Sequence, residues 1–91
     1  MKSIDLTYAR KLAQNRINKI GSSIDEDLDI MENQTLEIDL GWIFFFNTKD
    51  FIRTGNFSDA LAGNAPILIT REGVIHELPT SIPWEIAVKH I

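Results

Sequence analysis

The chain contains no cysteine. That absence excludes a disulfide scaffold, a cysteine-ligated zinc finger and a thiol nucleophile together, and it suits a reducing compartment. Long apolar runs are also missing. The longest, Trp42-Ile43-Phe44-Phe45-Phe46, is far too short to span a bilayer. Met1-Lys2-Ser3-Ile4-Asp5 lacks the apolar core of a secretion signal, so the expected location is the cytoplasm and no membrane partner is expected. Basic charge is in deficit, with 9 Lys and Arg against 13 Asp and Glu and a formal net charge of −4. Such a balance argues against a nucleic-acid partner and favours basic protein surfaces.

What is present is the composition of a folded protein, with 44% hydrophobic and 24% charged residues. A chain of 91 residues is expected to form one domain over 1–91. A domain of that size buries roughly 60–65% of its unfolded surface, so stability is expected to be modest.

The spacing predicts a helix over Leu6 to Ile20, with Tyr8, Ala9, Leu12, Ala13, Ile17 and Ile20 on one face. Thr7 or Asp5 is the expected cap, and Gly21 stands where a helix-ending glycine belongs. Ile24 to Met31 reads as a strand with Asp25, Asp27 and Asp29 on its wet side. Glu32-Asn33-Gln34 reads as a turn in which Asn33 takes a positive φ. Thr35 to Phe46 then reads as one long strand. Its even positions are all apolar; its odd positions run from Glu37 and Asp39 through Gly41 to Ile43 and Phe45. The second half must therefore be covered on both faces, by a helix or in a homodimer, or be exposed to a partner.

Beyond it, Asn47 is the expected cap of a short helix ended by Gly55, and Ser58 of another turn ended by Gly63. Pro66 to Arg71 and Val74 to Leu78 form a hairpin around Glu72-Gly73. A final helix runs from Ile82 to about His90, capped by Thr80 or Ser81, with Pro83 in its first turn. The fold class that follows is α+β: an antiparallel sheet of about four strands with helices covering one face.

Candidate chemistry is sparse. Asp25, Asp27 and Asp29 have the spacing that opens a calcium loop, but the sixth and twelfth places hold Ile30 and Leu36 instead of glycine and glutamate. No metal site is expected there. His76 and His90 are the two histidines, and nothing in their spacing arranges a third ligand. No serine lies in a nucleophile motif, and no glycine-rich phosphate loop appears. No catalytic residue and no cofactor is therefore assigned. Exposed alternating carboxylates are usually only solvated; the sharper reading makes Asp25, Asp27, Asp29, Glu37 and Asp39 one acidic, partner-binding face on a hairpin around Asn33. Gly41-Trp42 suggests a bulge or a close backbone approach. Gly63-Asn64 tolerates positive φ, and Pro66 fixes the start of the next strand.

Gly41-Trp42-Ile43-Phe44-Phe45-Phe46, Thr54-Gly55-Asn56 and Ala60-Leu61-Ala62-Gly63-Asn64-Ala65-Pro66-Ile67 together resemble the immunity protein 35 family, also called YrhB-like. The N-terminal helix and the Pro83-Trp84-Glu85 segment fit as well. Leu78-Pro79-Thr80 and Phe46 depart from the family pattern, which usually has glycine before the threonine and often tyrosine at the strand end. The resemblance implies a bacterial protein, not an enzyme, that neutralises a cognate toxin by binding it. A second implied role, from the YrhB branch, is that of a chaperone-like stress protein whose exposed aromatics near Ile43 and Phe45 hold unfolded clients. The motif residues Gly41, Trp42, Gly63, Asn64 and Pro66 look architectural.

Overall fold

Asp5 begins the first element by accepting a hydrogen bond from the Tyr8 N–H at 2.9 Å, so the cap is Asp5 and not Thr7. The computed structural model describes residues 3–62 and 65–91. Helix α1 spans Leu6–Ile24, one turn beyond the expected end. Gly21 lies inside it and is buried; a Cβ there would stand 2.5 Å from the Glu26 carbonyl oxygen. The glycine is needed because the following chain folds back onto the helix, not because it ends it. Asp25, at φ 57°, ends it in the left-handed conformation and donates its N–H to Gly21. Ala9, Ala13, Ile17 and Gly21 form the buried stripe, while Tyr8, expected on that face, is exposed.

Strand β1 is short, Leu28–Ile30, since Ile24 still belongs to α1. Residues Glu32–Gln34 form a 3-10 turn; Asp25 is the one non-glycine residue at positive φ among the described residues, so Asn33 does not adopt it. The expected long strand is three strands. β2 (Leu36–Ile38) turns through Asp39 and Leu40 into β3 (Gly41–Phe44), and Phe45 separates β3 from β4 (Phe46–Thr48).

Helix α2 (Lys49–Thr54) is capped by Thr48, whose hydroxyl accepts from the Phe51 N–H at 3.0 Å. Asn47 instead accepts from the N–H groups of Thr48 and Leu61. Gly55, at φ 72°, ends α2 as expected. A 3-10 turn at Phe57–Asp59 follows, capped by Asn56 where Ser58 was expected. Gly63 and Asn64, and the expectations placed on them, lie outside the described residues.

Strands β5 (Ile67–Thr70) and β6 (Ile75–Glu77) make the expected hairpin, with Gly73 at φ 88°. Helix α3 is only Trp84–Ala87, continued by a 3-10 turn at Val88–His90. Pro83 occupies the cap position and no side chain caps it, so Thr80 and Ser81 do not have that role.

The main sheet has four antiparallel strands in the order β2-β3-β5-β6, and β1 and β4 form a separate antiparallel pair. Trp42 lies opposite Ile69, Ile43 opposite Leu68 and Phe44 opposite Ile67. Trp42, Phe44, Ile67 and Ile69 pack with Ala9, Ala13 and Ile17 of α1. Ile43 and Leu68, on the other side, pack with Leu78 and Ala87, flanked by Phe45, Trp84 and Val88. The two helices therefore cover opposite faces of the sheet, not one face. This arrangement is why β3 is apolar on both sides: its four residues are all buried, each face closed by a helix of the same chain.

Gly41 has the close backbone approach that glycine in a strand suggests. Its φ is 156°, and an added Cβ would lie 2.0 Å from the Ile69 carbonyl oxygen. Pro66 directly precedes β5, and its carbonyl accepts from the Leu78 N–H at 3.2 Å.

Candidate functional site

The carboxylates expected on one hairpin are distributed differently, because β1 pairs with β4 and β2 with β3. Asp25 ends α1, Asp27 lies in the connection to β1, and Asp29 is on β1 opposite Asn47. Glu37 is on β2 opposite Trp42, and Asp39 is in the β2–β3 turn. The structure therefore keeps Asp25, Asp27 and Asp29 on one short stretch with Glu26, and assigns Glu37 and Asp39 to another part of the fold.

In that second part Arg71 is the organiser. It pairs with the Glu37 carboxylate at 3.1 Å and donates to the carbonyls of Ile38 at 2.8 Å and Asp39 at 3.0 Å. These bonds hold the β2–β3 turn to the start of the β5–β6 turn.

The acidic stretch continues into the 3-10 turn, where Glu32 is gripped by Arg10 of α1. The guanidinium Nε donates to both Glu32 oxygens, at 3.0 and 2.8 Å, and a second nitrogen pairs with Oε2. The hydrogen bond from Arg10 holds the Glu32 carboxyl below its ordinary range and raises the Arg10 guanidinium in return. The pair fastens the 3-10 turn to α1 and fixes one wall of a groove.

That groove, of about 530 Å³, runs between β1 with its following turn and helix α2. Ile30, Met31, Phe51 and Ile52 supply its apolar lining, and Asp29 and Glu32 supply carboxylates. Beside it stands Phe57, whose ring centroid is 5.7 Å from that of Phe51 and which is 83% exposed. The turn bearing Phe57 is braced on all sides. Asn56 accepts from the Ser58 N–H and hydroxyl, Thr48 donates to the Asp59 carbonyl, and Thr54 donates to the Asp59 carboxylate. A large apolar side chain is thus held in water by a rigid support, a common property of residues that anchor a partner. The sequence signal was available: a lone aromatic amid the capping residues Asn56, Ser58 and Asp59 has no apolar neighbour of its own element to pack with.

His76 and His90 line one concavity of about 380 Å³ between β6 and the C-terminal turn, together with Glu77 and Leu78. Sequence spacing gave no reason to bring these histidines near one another. Among the described residues, no three His, Asp or Glu side chains are grouped so as to hold a metal ion. No helix of the described residues is long and apolar enough to cross a membrane.

The aromatics expected to serve an unfolded client are placed otherwise. Ile43 is fully buried and Phe45 is half-buried against the α3 side.

The chain is 39% identical over 62 residues to a protein of Escherichia coli (strain K12) described as uncharacterized protein YrhB, a match covering 67% of this chain and 66% of that one. Slightly less than two thirds of that relative is therefore spanned. No solved structure gives a significant match. The family described as immunity protein 35 matches residues 8–89, from the first turn of α1 to the turn after α3. With that match taking in most of α1 and, among the described residues, every strand and both later helices, the chain belongs to the immunity protein 35 family.

Proposed function

We propose that this protein is the immunity partner of a bacterial protein toxin, which it inactivates in the cytoplasm by binding and covering the toxin's working surface. The observation that carries the reading beyond family membership is Phe57, exposed on a braced turn beside an apolar groove, with an acidic stretch nearby. Occlusion requires shape, an apolar anchor and charge complementarity. It requires no nucleophile, acid–base pair or metal, so the protein acts without being an enzyme.

The charge indicates what kind of toxin fits. Asp25, Glu26, Asp27 and Asp29 lie within five consecutive residues, on a chain of net charge −4. A basic toxin is drawn to such a surface and a nucleic acid is repelled by it. Asp25, Asp27 and Asp29 are proposed as steering residues on this stretch. Glu37 and Asp39 belong to the same role only if the partner also reaches the β2–β3 turn.

The chaperone-like alternative loses part of its original support, since Ile43 is buried and Phe45 is half-buried against the α3 side. The homodimer alternative loses the same surface. The discriminating experiment is co-expression of the toxin from the adjoining gene with and without this protein, followed by isothermal titration of the pair. Survival only in the presence of this protein, with one-to-one binding, is the expected result. Equal killing in both cases and no heat of binding would remove the immunity reading.

A further inference from the structure

We infer that the groove between β1 and α2, with Phe57 at its border, is the anchoring core of the toxin interface, and that its occupant is a toxin segment carrying an apolar side chain beside a lysine or arginine. The inference rests on the immunity reading and names the contact surface and the chemistry of the partner.

Three observations converge on this groove. Its lining is apolar where Met31, Phe51 and Ile52 meet, and Ile52 is exposed although it lies on a helix that packs on β1 and β4. Phe57, which does not line the groove, has its ring 5.7 Å from that of the lining residue Phe51 and is itself largely exposed. The groove lining itself holds the carboxylates of Asp29 and Glu32 and no cation. Glu32 is paired with Arg10, and Asp29 accepts from the Ile30 N–H through Oδ1 at 2.8 Å, so its second oxygen is the acceptor for the partner to meet. Lys49 joins the acidic stretch through its backbone, donating its N–H to the Asp27 carbonyl at 2.9 Å.

The same charge argues against a second copy of this chain as the occupant. Two copies of net charge −4 meeting at their acidic stretches would repel. A basic, apolar-anchored segment has no such conflict. The groove is smaller than a whole interface, which typically covers about 800 Å² per partner. It therefore acts as the desolvated centre, where a few residues carry most of the binding energy.

The test titrates the toxin domain encoded by the adjoining gene into the full chain and into three variants. Phe57→Ala and Ile52→Lys alter exposed side chains at the groove. Val74→Lys alters an exposed apolar residue on the β5–β6 turn that does not line the groove, and serves as the control. Melting temperatures verify that each variant folds. The expected result is at least tenfold weaker binding for Phe57→Ala and Ile52→Lys, with Val74→Lys unchanged. If both groove variants bind like the parent, the groove assignment is wrong while the immunity reading stands. If the parent itself binds no toxin, both are wrong. If the isolated parent sediments as a dimer that Ile52→Lys separates, the occupant is a second copy and the inference is overturned. Capture of a denatured unrelated protein, lost in Phe57→Ala, would overturn it in favour of unfolded chains.

Discussion

The guanidinium carbon of Arg71 lies 5.0 Å from the ring centroid of Trp42, on the side of the sheet that α1 covers. Trp42 is 5% exposed, and Arg71 lies over its ring while its nitrogens hold the β2–β3 turn. Replacing Arg71 by alanine removes both the stacking and the hydrogen bonds, and should cost about 1–3 kcal/mol in urea unfolding. Lysine keeps the charge but not the planar fork, so Arg71→Lys should recover less than half of that loss. A lysine variant as stable as the parent would show that charge alone matters.

Trp42→Ala leaves a large void between α1 and the sheet. The expected destabilisation is about 3–5 kcal/mol, enough to unfold much of a small domain at 37 °C. A melting temperature within a few degrees of the parent would contradict the buried position.

Two glycines give a graded comparison. Gly55 adopts positive φ with nothing within 4 Å of an added Cβ, so Gly55→Ala should cost only about 1–2 kcal/mol. At Gly41 the added atom would collide with the backbone of β5 at the centre of the sheet. Gly41→Ala should cost about 4 kcal/mol or more and give little soluble protein. Equal losses at the two sites, by circular dichroism during thermal melting, would refute the close approach.

The Arg10–Glu32 pair predicts a pH dependence. The folded pKa of Glu32 is depressed relative to the unfolded chain, so its contribution is present at neutral pH. It is lost as pH falls through and below the ordinary carboxylate range, when Glu32 takes up a proton. Both side chains are about half exposed, so the loss should be under about 1 kcal/mol. Glu32→Gln should flatten the acid limb of a stability–pH curve by that amount, and Arg10→Ala should add little further. Full additivity of the two variants would mean that they do not act as a pair.

Replacing Asp25, Asp27 and Asp29 together by asparagine should slow toxin association about tenfold at low salt, with a smaller change in dissociation. The fold should persist, because asparagine tolerates the left-handed conformation that Asp25 adopts. Stopped-flow rates over a salt series measure this. Rates and salt slopes equal to those of the parent would exclude a steering role.

Much of the fold was legible in the sequence. The 3.6-residue spacing of Ala9, Ala13 and Ile17 marked α1, and Gly55 and Gly73 marked two chain reversals that the structure contains. The Thr35–Phe46 segment misled for a physical reason. Leu36, Ile38, Leu40, Trp42 and Phe44 alternate without interruption, yet a two-residue turn pairs Ile38 with Gly41 and Leu36 with Ile43. The same even numbering thus faces α3 in β2 and α1 in β3, and periodicity along the chain does not register the reversal. The expected hairpin around Asn33 is absent with it, since Glu37 and Asp39 belong to a hairpin that excludes β1. The groove was not legible at all. It forms from β1 and α2, brought together by the β1–β4 pairing, a long-range contact that local patterns do not encode.

The enclosure of β3 between α1 and α3 bears on how the protein emerges from the ribosome. Helix α1 is made before the sheet it covers, but α3 follows every strand in the chain. Until residues 84–88 have docked, Ile43 and Leu68 present an open apolar face on a sheet that is otherwise able to pair. A chain with the sheet paired and α3 undocked is therefore prone to aggregate, and a change that weakens α3 would lengthen the time spent in that state.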